Sequence, residues 1–115
     1  MDIEEIEKQS FAFIDRHIDA TFDEVPEDLF KIWHISVPIG EYLKRDYEHQ
    51  YEYRIYRYAL KKYQETKGIT IPEDKIIPVF KTFQLMLSIP FIRKYRFPRE
   101  TAFRIFDFQF YLTLL

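Results

Sequence analysis

Apolar residues recur at three- and four-residue intervals along most of this chain, a spacing that predicts helices rather than strands. From residue 2 to about 21, Ile3, Ile6, Phe13, Ile14, His17 and Ile18 fall on one helical face, with Glu4, Lys8, Asp15 and Asp19 opposite. A shorter helix is expected from Pro26, with Glu27 and Asp28 in its first turn and Leu29, Phe30, Ile32 and Trp33 on its apolar side. Proline is tolerated at a helix start because the missing N–H would have no partner there. Acids in a first turn suit the positive end of the helix dipole. The third and longest helix is expected from about Pro38 to Lys67, with Gly68 suited to its C-terminal cap. A fourth spans about 73–88, with Pro78 as a kink or as the true start. The fifth begins near Pro98 and is apolar nearly all round, its polar arc reduced to Glu100, Arg104 and Asp107.

These elements predict an all-α bundle of four to five helices around one long central helix at about 38–67, in a single domain covering residues 1–115. The alternative lies in Tyr51 to Tyr58, where the pattern alternates and tyrosine favours strands. The length of the periodic pattern decides for a helix.

Composition changes the picture in one respect. Aromatic residues make up 19% of the 115 positions, with twelve Phe, nine Tyr and one Trp. Each buries a large area, so the chain holds more large apolar surface than a domain of this size usually needs. Seven tyrosines lie on the expected long helix and form two stripes on different sides of it. One stripe is Leu43, Tyr47, Tyr51, Ile55 and Tyr58; the other is Tyr42, His49, Tyr53, Tyr56, Leu60 and Tyr63. One can face the core. The second, with its heptad-like spacing, needs either a second helix layer within the monomer or another molecule, and is the candidate partner interface.

Charge is uneven although the formal net value is only −2. Residues 1–31 carry ten acids against Lys8, Arg16 and Lys31. Residues 93–104 carry Arg93, Lys94, Arg96, Arg99 and Arg104 against Glu100. The two segments can meet inside one fold or across a dimer, or the basic one can contact an acidic partner or polyanion. Its interleaved cations and aromatics suit nucleic acid. The sequence pI near 5.9 argues against a dedicated nucleic-acid binder.

Candidate chemistry is sparse. There is no cysteine, which excludes disulfides and thiolate metal sites. His17 reads as a core histidine, His34 has no evident partner, and Asp46-x-x-His49 is only one of the pairs that a carboxylate-bridged dimetal site needs. Ser10, Ser36 and Ser88 sit in no glycine-flanked elbow. Gly40 and Gly68 are too far apart for a phosphate loop. No cofactor is expected, and the reading leans away from an enzyme. No apolar run is long enough to span a membrane, and no secretory signal is visible, so a cytoplasmic location is expected.

Ile55-Tyr56-Arg57, followed by Ala59-Leu60, resembles the LYR tripeptide of small helical mitochondrial accessory proteins, with Ile in place of Leu and a mid-chain position. Tyr53-Arg54-Ile55 through Ile71-Pro72-Glu73-Asp74 is similar to part of a small helical subunit of a respiratory cytochrome complex. Both resemblances imply a helical subunit without chemistry of its own. The expected function is therefore a non-catalytic protein–protein interaction or assembly module, its partner another protein or a second copy. The alternatives are a nucleic-acid-associated regulator using 93–104 and a small-ligand or enzymatic pocket without a recognisable motif.

Overall fold

Asp2 opens the first helix by accepting a hydrogen bond from the Glu5 amide at 2.8 Å, so α1 runs Ile3–Arg16. The computed structural model describes residues 2–33, 44, 50–87 and 104–115. Within them α2 is Glu27–Trp33, α3 Tyr51–Lys67, α4 Ile76–Leu87 and α5 Phe108–Thr113. Short 3-10 turns at Phe22–Glu24 and Glu73–Lys75 lead into α2 and α4. The protein is an all-α bundle. Among the described residues the one β-type contact is an isolated antiparallel bridge between Thr21 and Arg104.

Two expected helices are shorter than their periodicity suggests. Gln50, at φ −103 and ψ 15, is the N-cap of α3, and Lys44 lies in a turn. The other residues of the expected stretch from 38 to 49 lie outside the described residues. Seventeen residues at 1.5 Å each make α3 about 25 Å long. Tyr51 to Tyr58 is helix, not strand. At the other end of the chain, Asp107 accepts from the Phe110 amide at 3.2 Å and caps α5, so that helix starts at Phe108 rather than near Pro98. Arg104 is held in the bridge instead, with the Ile105 amide donating to the Ala20 carbonyl at 2.9 Å. Pro78 sits in the first turn of α4, where its missing N–H costs no helical bond.

The core is an aromatic cluster. Trp33, Tyr56, Phe80, Phe83, Phe106, Phe108 and Tyr111 are all buried. Phe83 stands at its centre, 4.7 Å from Tyr56, 5.3 Å from Phe108 and 5.8 Å from Tyr111 between ring centroids. Phe106 reaches Trp33 at 5.7 Å, which ties the segment before α5 to α2. Edge-on and tilted pairs of this kind add to what burial alone supplies. Among the described residues, these seven large aromatic side chains are consumed within the domain.

The polar tips of Trp33, Tyr56 and Tyr111 each meet a partner. The Trp33 indole donates to Ser10 Oγ at 2.8 Å. The Tyr56 phenol donates to the Trp33 carbonyl at 3.0 Å, and the Tyr111 phenol to the Ile105 carbonyl at 2.6 Å. A buried donor left unpaired would cost about 1–3 kcal/mol, so these bonds fix which element each ring may pack against.

α1 and α3 pack in parallel. Glu7 pairs with Arg54, Phe11 stacks on Tyr58, Asp15 faces Lys62 and Asp19 faces Lys67. Among the described residues, three acids of the N-terminal segment, Glu7, Asp15 and Asp19, meet cations of α3 inside the fold. Arg104 does share Asp19, at 3.8 Å.

Candidate functional site

The turn after α3 creates a cleft. Gly68 adopts φ +67 and ψ 31, donating its amide to the Gln64 carbonyl at 2.9 Å, and so ends the helix. That left-handed conformation suits glycine, which has no Cβ to clash. The chain then folds back along α3. Gln64 Oε1 accepts from the Ile71 amide at 2.7 Å and pins the returning segment. Between the helix and this segment lies a cleft of about 570 Å³.

One wall is α3 itself, from Gln50 to Gln64. The opposite wall is Thr70, Ile71, Glu73 and Ile76. Phe11 of α1 closes one side, its ring stacked on Tyr58 with centroids 4.2 Å apart. Buried Leu60, Ile71 and Ile76 give an apolar floor, and half-buried Tyr53 and Tyr58 give aromatic edges.

The polar equipment of the cleft is cationic. Arg54, Arg57 and Lys61 line it, with Glu73 across from them. Arg54 is half-buried and held by Glu7, its Nε donating at 2.6 Å. Arg57 and Lys61, one turn apart, are exposed and have no acidic partner among the described residues. The Tyr58 phenol donates to Asp15 at 2.6 Å, and this bond raises its pKa above the usual tyrosine value, with burial adding to it. It therefore remains a neutral hydrogen-bonding group at ordinary pH. Arg54, Arg57 and Lys61, with the rings of Phe11, Tyr53 and Tyr58, give the cleft a cationic, aromatic-edged surface.

The residues expected at a partner interface divide. Tyr56, Leu60 and Tyr63 are at most 5% exposed: the two tyrosine rings are covered by the protein's own α4 and α5 region, and Leu60 lies in the floor of the cleft. They are core residues, because their stripe faces Phe80, Phe83 and Phe108 rather than solvent. Tyr53 is half-buried, edge-on to Phe80 at 5.7 Å, and lines the cleft. Tyr42 and His49 lie outside the described residues. So do Arg93, Lys94, Arg96 and Arg99 of the basic segment, while Arg104 is exposed beside Asp19. His17 is not a core histidine. It is exposed at the C-cap of α1, its ring tilted against Phe13 at 4.8 Å, because α1 stops at Arg16. Asp46, His34 and His49 also lie outside the described residues. Among the described residues no group of three or more His, Asp or Glu is placed to hold a metal ion.

Sequence reasoning missed Arg57 and Lys61. The available signal was the set of acids at 7, 15 and 19, which matches cations at 54, 62 and 67 and leaves 57 and 61 over.

No helix among the described residues is long and apolar enough to cross a membrane. Comparison with family models, curated proteins and solved structures finds no match, so the two short resemblances around Tyr53 to Asp74 gain no support from them.

Proposed function

We propose that the protein is a non-catalytic helical interaction module that engages another protein through the cleft beside α3. One observation carries this reading. Of the five cations on α3, Arg54, Lys62 and Lys67 are paired with acids of the α1 segment, whereas Arg57 and Lys61 stand exposed on an aromatic-edged cleft without such a partner among the described residues. Arg and Tyr are the residue types that most often dominate interface energetics. The earlier expectation of an interaction role is kept, with its surface moved from the buried stripe to this cleft.

Affinity capture tests it. The protein and its Arg57→Glu/Lys61→Glu variant serve as parallel baits, with equal melting temperatures as the folding control. A partner retained by the first and lost by the second is the expected result. Identical retention on both baits would remove the cleft from consideration. A second copy as partner would show as a dimer in light scattering that the double variant abolishes.

A further inference from the structure

Resting on the cleft as the binding surface, we infer that its occupant is a short acidic peptide segment bound in extended form, with carboxylates at alternate positions facing Arg57 and Lys61. The shape argues for an extended chain. The α3 wall runs from Gln50 to Gln64, which at 1.5 Å per residue is about 21 Å. A volume of about 570 Å³ spread over that length makes the cleft slender. A helix, about 10–12 Å across with its side chains, is too thick for it. An extended segment advances about 3.3 Å per residue, so about six residues span the wall.

Charge sets the register of that segment. Arg57 and Lys61 are separated by four helical residues, about 6 Å along α3. Same-side residues of an extended chain lie about 6.6 Å apart, so acids at positions i and i+2 reach both cations. The residue between them points to the other wall, where Glu73 repels an acid and Ile71 and Ile76 favour an apolar side chain. Arg54 is already engaged by Glu7, so the acidic half of the occupant lies toward Gln64 and the half near Gln50 packs on Tyr53. The recognised pattern is thus an apolar or aromatic residue followed by acid–apolar–acid.

The test is selection from a random peptide library displayed on phage, with the Arg57→Glu/Lys61→Glu protein as counter-target. A fluorescein-labelled Phe-Leu-Glu-Leu-Glu-Leu peptide is titrated alongside by anisotropy. Enrichment of acidic peptides is expected, with affinity of the labelled peptide lowered at least tenfold by the double variant. Lys81→Glu, an exposed cation of α4 away from the cleft, should leave it unchanged. Raising salt should weaken binding, because exposed charges are screened. Selected peptides that lack acids yet lose binding with Tyr53→Ala would overturn the acidic occupant and leave the cleft as the binding surface. Tighter binding of a labelled oligothymidine of equal charge would overturn the peptide class in favour of nucleic acid. Absence of any selected peptide that discriminates the double variant would overturn both the occupant and the cleft.

Discussion

The inner and outer faces of α3 both carry polar groups and use them in opposite ways. On the inner face, phenol groups are spent on cross-links: Tyr56 donates to the end of α2, and Tyr63 donates to Asp107 at 3.0 Å, the residue that caps α5. On the outer face, Arg57 and Lys61 make no such bond among the described residues. The difference teaches that tyrosine on this helix is a structural residue with a directional tip. Of the cations, Arg57 and Lys61 are left exposed on the cleft. A helix rich in Tyr and Arg invites the reverse assignment.

The largest effect should come from breaking the inner face. Tyr56→Ala removes a fully buried ring and its bond to the Trp33 carbonyl, and should cost about 3–5 kcal/mol in denaturant unfolding. Tyr56→Phe, which keeps the ring, should cost about 1–2 kcal/mol. If both variants behaved like surface changes, the inner face would not be core.

Alkaline titration probes the same face without mutation. Burial, and then the hydrogen bond to Asp107, pushes the Tyr63 pKa up to about 12, and burial likewise raises Tyr51 to about 12 and Tyr111 upward. These phenols keep their protons in the fold at pH values where the unfolded chain, near the ordinary value of about 10, has lost them. The folded state then binds more protons than the unfolded, so stability falls as pH rises. It should be fully present below about pH 10 and decline between about pH 10 and 12. Thermal melts across that range should show the decline begin only above pH 10, and Tyr63→Phe should flatten it.

Asp107→Ala joins the two ends of the comparison, since one carboxylate oxygen both caps α5 and accepts from Tyr63. Its loss should cost about 2 kcal/mol, measured by chemical denaturation. The smallest effect belongs to the outer face: Arg57→Glu and Lys61→Glu should each shift stability by less than about 0.5 kcal/mol while altering binding. A larger shift would mean that these cations hold the fold together.

Local chemistry made much of this architecture legible in advance. The helix starts near residue 2 and after Pro26 and the stop at Gly68 all follow from capping rules that need only a few neighbouring residues. What escaped depended on distant partners. Ile105 and Phe106 continue the apolar run into α5, so that helix and inward-turning loop look alike there, and Asp107 reads as a solvent-facing residue until the cap is seen. His17 continues the apolar periodicity of α1, which gives no sign that the helix has ended one residue earlier. The cleft escaped for a related reason. Arg54 and Arg57 are chemically identical, and only the placement of α1 decides which of them is neutralised.

The parallel seating of α1 on α3 reaches into the kinetics of the chain. Each rung of the seam joins residues 47 or 48 positions apart. No hairpin can bring such partners together early, so loop closure across the intervening segment must precede the pairing. Folding should therefore be slower than for a bundle of adjacent antiparallel helices, whose contacts are local. In stopped-flow experiments, Glu7→Gln should speed unfolding and leave the refolding rate nearly unchanged, as befits a latch that clicks shut after the aromatic centre has formed.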